Sequence, residues 1–69
     1  MKYGARNQWC GKVIAIKKGK LMCQVTVQIQ PGWTVCSVMT LDSLAELGIR
    51  KGSTVKVLVK AVNVLLAAE

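Results

Sequence analysis

Residues 23–30, with the sequence Cys-Gln-Val-Thr-Val-Gln-Ile-Gln, alternate between apolar and polar side chains. Successive side chains of a β-strand point to opposite faces, so this alternation is typical of a strand with one buried face. A helix would repeat its apolar positions every three or four residues instead. The stretch therefore predicts a β-protein, and the segments on either side can be interpreted as further parts of the same sheet.

The stretches on either side also favour strands. Residues 9–16 are rich in β-forming side chains and lead into a basic, Gly-containing turn at residues 17–20, which predicts strand one and a hairpin. After the turn dipeptide Pro31-Gly32, residues 34–39 are apolar on both faces and predict a third strand buried on both sides. Because a domain this small cannot cover both faces alone, we expect a partner subunit to cover one of them.

A helix is predicted for residues 40–48, where the period of the apolar positions lengthens. Ser43 and Glu46 fit a capping box, and Gly48 fits a left-handed C-terminal cap. Either Thr40 or Ser43 can be the N-cap. In both cases hydroxyl groups gather at a helix start, where free N–H groups favour an anion.

Two further strands are predicted, at residues 54–60, which alternate, and at residues 63–67. Three strands, a short helix and two more strands are the element order of the OB-type barrel. We therefore predict an all-β fold: a small five-stranded OB-like barrel, with one short helix between strands 3 and 4, formed by a single domain over residues 1–69.

Charge and composition point to anionic partners and to self-association. The 69 residues carry a net charge of +7, and 52% of them are hydrophobic. A positive chain attracts nucleic acid, acidic membranes and small oxyanions alike. So much apolar surface cannot be hidden by so short a chain, so we expect a homo-oligomer. The apolar runs are too short to cross a bilayer, and no membrane role is expected.

The three cysteines, Cys10, Cys23 and Cys36, cannot all pair within one chain, and we expect them to behave as small hydrophobic side chains. With no His and no fourth Cys, a closed zinc site is not expected. No secretion signal opens the sequence, so a cytoplasmic location is predicted.

Catalysis is not expected, because the sequence has no His and only three acidic residues. The main alternative function is an OB-type nucleic-acid-binding module. Such modules stack bases on aromatic side chains, whereas this chain has no Phe, and Trp9 and Trp33 lie far apart in sequence. A structural module without a ligand is a third possibility.

Gly4, Ala5 and Arg6 are the first candidates for an anion site. The guanidinium group offers five N–H donors in a fixed plane. Small neighbouring residues let backbone N–H groups approach a ligand closely. The alternative is an ordinary surface arginine near a mobile terminus.

The sequence resembles the molbindin (Mop) family, whose TOBE/Mop domain also occurs in molybdate-responsive regulators and molybdate transporter ATPases. The resemblance covers nearly the whole chain and rests on the joint order of several short motifs. These are Ala5-Arg6-Asn7-Gln8, Gly11-Lys12-Val13, Lys17-Lys18-Gly19, Thr40 with Ser43, Glu46-Leu47-Gly48, Gly52, and Lys60-Ala61 with Val64.

The resemblance implies a cytoplasmic homohexamer, a trimer of dimers, that binds molybdate or tungstate at subunit interfaces for storage or homeostasis. It implies no catalytic cofactor. In related domains the anion contacts residues that match Ala5, Arg6 and Lys60 of one subunit and Thr40 and Ser43 of another. The full set of oxyanion-binding candidates is Gly4, Ala5, Arg6, Thr40, Ser43, Lys60, Ala61 and Val62.

Two candidates depart from the family pattern. Gly4 stands where family members commonly have Ser, and Val62 where they have Ser or Thr. Each departure removes a hydroxyl group beside the charged residues, so we expect weaker anion binding than in relatives with both hydroxyls.

Overall fold

The alternating residues of strand β2 (Met22–Gln30) form the centre of the core. Cys23, Val25 and Val27 are buried, while Gln24 between them is exposed. This confirms the predicted strand with one buried face. Val13 and Leu44 complete the buried cluster from a neighbouring strand and from the helix.

The computed structural model describes residues 6–68 and contains four strands, one α-helix and a short 3-10 turn. All strand pairs are antiparallel, and the order across the curled sheet is β3-β2-β1-β4. The other elements are β1 (Asn7–Lys18), β3 (Trp33–Thr40), α1 (Leu41–Leu47), β4 (Thr54–Val59) and the 3-10 turn Ala61–Asn63.

Strand β1 connects the two halves of the sheet. Its first residues pair with β4 and its last with β2, and the register with β2 shifts between Val13 and Ala15. Such a bulge bends a strand and increases its twist. The Val13 N–H donates to the Ser53 carbonyl at 2.9 Å, and the Gly52 N–H donates to the Val13 carbonyl at 2.8 Å. These bonds hold the bend against the turn that leads into β4.

The predicted helix is confirmed, and its N-cap is Thr40. The Thr40 side chain accepts a hydrogen bond from the Ser43 N–H, and Gly48 adopts the left-handed conformation with φ 66°. Leu44 is the buried helix residue. The Leu41 N–H donates to the Leu21 carbonyl at 2.9 Å, which ties the helix start to the β1–β2 hairpin.

The predicted fifth strand is wrong for the part of the chain that the structure describes. Residues 61–63 form a 3-10 turn, and residues 64–68 have no regular structure. The closed barrel is not formed either, because β3 and β4 are the two edges of an open sheet. Apolar, β-forming residues become a strand only when another strand supplies hydrogen-bond partners, and residues 64–68 of this single chain pair with neither edge.

The single chain covers only one face of the third strand, so its burial on both sides, with a partner subunit over the second face, stays a prediction. Val35 and Met39 are half-buried on the core side of β3, whereas Thr34, Cys36 and Val38 are exposed. Among residues 6–68, no element buries the outer face of β3. The predicted partner subunit would have to supply that cover.

The three cysteines are free and lie in different environments. Cys23 packs in the core as expected, but Cys10 and Cys36 are exposed. Cys36 Sγ accepts a hydrogen bond from Gln24 Nε2 at 3.5 Å on the outer face of the sheet. No helix among residues 6–68 is long and apolar enough to cross a membrane.

Candidate functional site

Two cationic residues lie just outside one end of the β1–β4 pair. Asn7 pairs with Val59, and Arg6 and Lys60 are the residues directly outside this last pair of the ladder. The Asn7 side-chain amide donates to the Val59 carbonyl at 3.2 Å and fixes this end of the ladder. Arg6 and Lys60, both exposed, are called the cationic end below.

A tight turn follows the cationic end. Lys60 precedes the 3-10 turn Ala61–Asn63, and its carbonyl accepts from the Asn63 N–H at 2.9 Å. Ala61 is exposed, and Val62 is 87% exposed. The candidates Lys60, Ala61 and Val62 therefore share one solvent-facing turn. Gly4 and Ala5 lie outside the described residues.

Thr40 and Ser43 form a second cluster, the hydroxyl pair. Thr40 Oγ1 donates to Ser43 Oγ at 2.9 Å and accepts from the Ser43 N–H at 3.1 Å. A hydroxyl group has one proton to donate. Since Thr40 uses its proton within the pair, the Ser43 Oγ–H is the hydroxyl donor that remains for a ligand.

The acidic residues that the structure describes, Asp42 and Glu46, both lie on α1. Asp42 is in the first turn of the helix, directly beside the hydroxyl pair. A carboxylate there stabilises the helix start but repels an approaching anion. The cationic end contains no acidic residue. An anion at the hydroxyl pair would therefore need a nearby positive charge to offset the repulsion by Asp42, whereas an anion at the cationic end would not.

The two clusters lie at opposite ends of β1 in one chain. The cationic end adjoins Asn7, the first residue of β1, whereas Thr40 pairs with Met22 beside the hairpin that follows Lys18. At about 3.3 Å per residue, the 12 residues of β1 correspond to about 40 Å of path along the strand. From this path length we expect a single tetrahedral oxyanion to contact only one of the two clusters of the same chain.

Trp9 and Trp33 are brought together although they are distant in sequence. Their ring centroids are 5.5 Å apart and their planes make an angle of 72°, an edge-to-face pair. Trp9 is half-buried, on the core side of β1. The contact forms one aromatic cluster at the end of the sheet, rather than the succession of open rings on which a nucleic-acid strand stacks its bases.

A groove beside the helix was not predicted from the sequence. It has a volume of about 390 Å³ and is lined by Leu41, Leu44 and Ile49, with Lys18 and Arg50 also contributing. The two cations come from β1 and from the loop after α1. No local pattern could have revealed this arrangement, because it depends on how the helix packs against the hairpin. Among residues 6–68 there is no group of three or more metal-ligating side chains.

The TOBE domain family matches residues 4–66 of the chain. A curated relative, molybdenum-pterin-binding protein 3 of Clostridium pasteurianum, is 38% identical over 68 residues, which cover 99% of this chain and 100% of the relative.

Two solved structures are similar over the whole fold. MopII of Clostridium pasteurianum, in a ligand-free form, has a TM-score of 0.87 and 37% identity, covering 97% of this chain and all of that one. A molybdate-binding protein of Sporomusa ovata has a TM-score of 0.90 and 31% identity, covering 99% of this chain and all of that one. The similarity in sequence and in structure therefore extends across both candidate clusters.

Proposed function

Because the chain belongs to the TOBE domain family and to its molybdenum-pterin-binding members, we propose that it binds molybdate or tungstate as a tetrahedral dianion. The anion lies at interfaces between subunits and is held for storage and homeostasis in the cytoplasm, without catalysis. The names of the relatives support this ligand class, and the net charge of +7 supports an anionic ligand.

The observation that carries the proposal is the separation of two complementary half-sites. The cationic end supplies charge without directed hydroxyls, and the hydroxyl pair supplies one directed donor, the Ser43 hydroxyl, beside a carboxylate. Each half is incomplete as an anion site, and the two lie at opposite ends of β1. A site built from the cationic end of one subunit and the hydroxyl pair of another is complete.

The donors suit an oxyanion better than a bare metal ion. Molybdate arrives with oxygen already on the metal, so the protein has to donate hydrogen bonds from several directions and needs no thiolate or imidazole ligand. The Arg6 guanidinium can offer two parallel N–H donors, Lys60 adds an ammonium group, and Ser43 adds a hydroxyl. Backbone N–H groups around Gly4, Ala5 and Ala61 complete the proposed shell.

The proposed assembly is a homohexamer arranged as a trimer of dimers. Exposed apolar side chains support self-association: Val38 and Leu47 are more than half exposed, and Leu65 and Leu66 almost fully. A soluble monomer rarely leaves so many large apolar groups in water. Native mass spectrometry at micromolar concentration tests the assembly. A stable folded monomer would contradict both the hexamer and the anion site shared between subunits.

Titration calorimetry of Arg6→Ala with molybdate tests the site itself. Each hydrogen bond to a charged group contributes about 1.5–3 kcal/mol, so affinity should fall at least about tenfold. Lys51→Ala is the matched control, because it removes the same charge from an exposed turn away from both clusters. If both variants lose affinity equally, general positive charge holds the anion and Arg6 is not a specific contact.

The same preparation distinguishes the anion-binding function from the nucleic-acid alternative. A labelled single-stranded oligonucleotide is added at low salt, and molybdate is then titrated in. We expect binding of the oligonucleotide to be weak and to vanish at physiological salt, as for nonspecific phosphate contacts. Tight, salt-resistant binding that molybdate does not displace would favour the nucleic-acid-binding module.

A further inference from the structure

Asn7 is an unusual residue for the end of a sheet. It is the first residue of β1 and pairs with Val59, the last residue of β4. Asparagine is depleted in strands, where β-branched and aromatic side chains fit better. Asn7 is half-buried, and it is not one of the oxyanion-binding candidates. Neither strand propensity nor a direct contact with the anion therefore explains this residue.

The side chain of Asn7 joins the two strands. Its Nδ2 group donates to the Val59 carbonyl oxygen at 3.2 Å, between residues 52 positions apart in the sequence. Arg6 directly precedes Asn7, and Lys60 directly follows Val59. One side-chain hydrogen bond thus connects the two residues that are bonded to the members of the cationic end.

The cationic end lies beyond the regular ladder. Since β1 begins at Asn7 and β4 ends at Val59, neither Arg6 nor Lys60 belongs to a strand. Residues at the end of an element open most easily. Two like charges there repel each other, and both acidic residues among residues 6–68 lie on α1. The strand ends would therefore separate more readily here without the bond from Asn7.

We propose that Asn7 is a positioning residue of the oxyanion site, whose bond to the Val59 carbonyl holds Arg6 and Lys60 in place for one anion. The inference rests on the proposed function, in which both cations bind the same molybdate. If the strand ends were apart, the anion would have to order them on binding, and ordering of the backbone lowers affinity. A bond that already exists in the free protein removes part of that loss. Asn7 acts through the two cations and does not touch the ligand.

Asn7→Leu tests this role. Leucine branches at Cγ as asparagine does but has no donor, so the bond is lost with little change in shape. Titration calorimetry well below the melting temperature should show a molybdate affinity about three- to tenfold lower than that of wild type, with a less favourable binding entropy. A merely structural role would lower the melting temperature and leave the affinity of the folded protein unchanged.

Two further variants are controls. Asn7→Gln keeps a carboxamide on a longer side chain and should recover most of the affinity. Gln28→Leu replaces a half-buried carboxamide of β2, whose strand partners Lys12 and Thr34 lie in neither cluster, and should bind as wild type does. Affinities are compared at a subunit concentration where sedimentation analysis shows the same assembly. Equal losses in Asn7→Leu and Asn7→Gln would contradict the inference, since the shape of the side chain would then matter and its donor would not.

Hydrogen exchange measures the order of the strand ends without a ligand. The slowly exchanging backbone amides among residues 7–8 and 58–59 should exchange at least about threefold faster in Asn7→Leu than in wild type. Saturating molybdate should reduce this difference, because the bound anion then connects the two cations itself.

The two measurements separate this inference from the proposed function. If wild type does not bind molybdate, the proposed function fails and the inference fails with it. If wild type binds molybdate and Asn7→Leu binds it equally well, with unchanged exchange at the strand ends, only the inference is overturned.

Discussion

Thr40 makes two hydrogen bonds to Ser43: its hydroxyl oxygen accepts from the Ser43 N–H at 3.1 Å and its proton goes to Ser43 Oγ at 2.9 Å. Thr40 is also the last residue of β3 and the N-cap of α1. One side chain thus ends a strand, starts a helix and orients the hydroxyl that we assign to the anion.

Thr40→Val should lower both stability and molybdate affinity. Valine keeps the shape and suits the end of a strand, but it removes the cap, at a cost of about 1 kcal/mol in the free energy of unfolding. Ser43 also loses the bond that orients its hydroxyl. Urea unfolding and titration calorimetry measure the two effects. Thr40→Ser is the control that restores the hydroxyl, and equal stability of the valine variant and wild type would contradict the capping role.

Asp42→Asn should change stability and affinity in opposite directions. The carboxylate in the first helical turn favours the positive end of the helix, so its removal destabilises α1 slightly. The same removal takes away a negative charge beside Ser43, and molybdate affinity should rise roughly two- to fivefold at low salt. Glu46→Gln removes the same charge farther along the helix and should raise affinity less. An increase that persists undiminished at high salt would argue against an electrostatic cause.

Val62→Ser should strengthen molybdate binding. Val62 lies in the exposed turn directly after Lys60, and a hydroxyl at this position adds a directed donor beside the cationic end. A hydrogen bond to a charged ligand contributes about 1.5–3 kcal/mol before water is displaced. Val62→Ala is the control for loss of the apolar side chain.

Molybdate and sulfate affinities at one salt concentration provide the measurement for Val62→Ser, and the ratio of the two should also increase. Gly4→Ser, at the second departure from the family pattern, is expected to act in the same way. If serine at position 62 behaves like alanine, that side chain does not face the anion.

Gly11→Ala should destabilise the sheet without touching either cluster. A Cβ atom at Gly11 would lie 2.9 Å from the Gln28 carbonyl oxygen and collide with the Val27 side chain. Forcing extra volume into a packed site costs about 1–3 kcal/mol. Gly19→Ala, where the nearest heavy atom is 3.3 Å away, should cost less. Thermal unfolding compares the two, and an unchanged melting temperature for Gly11→Ala would show that β1 and β2 can move apart.

The features predicted correctly from the sequence depend on local chemistry. The alternation around Val25 predicts β2 without reference to any other segment. Gly48 can end a helix at φ 66° because it has no Cβ atom. The sequence alone could not choose between Thr40 and Ser43 as N-cap, because both have a hydroxyl at a suitable spacing. The structure shows that β3 ends at Thr40 and the helix begins at the next residue, which makes Thr40 the N-cap.

The features that sequence reasoning missed are set by contacts between distant segments. Leu65 and Leu66 have strand-forming neighbours, but a strand also needs an edge to pair with, and residues 64–68 pair with neither edge of the described sheet. The contact between Trp9 and Trp33 joins β1 to β3 across β2. For the site, the residue types of Arg6 and Lys60 indicated an anion, whereas their position at one end of the β1–β4 ladder follows from its register.

The distance between the cationic end and the hydroxyl pair has a thermodynamic consequence for the proposed function. A ligand that binds only the assembled state shifts the association equilibrium toward assembly, and assembly raises the apparent affinity for the ligand by the same factor. Dilute subunits would therefore release the anion, and scarce anion would loosen the assembly. If the proposed half-sites, near Asn7 and near Met22, join only in the assembly, the protein would take up its ligand above a threshold set jointly by the concentrations of subunit and anion.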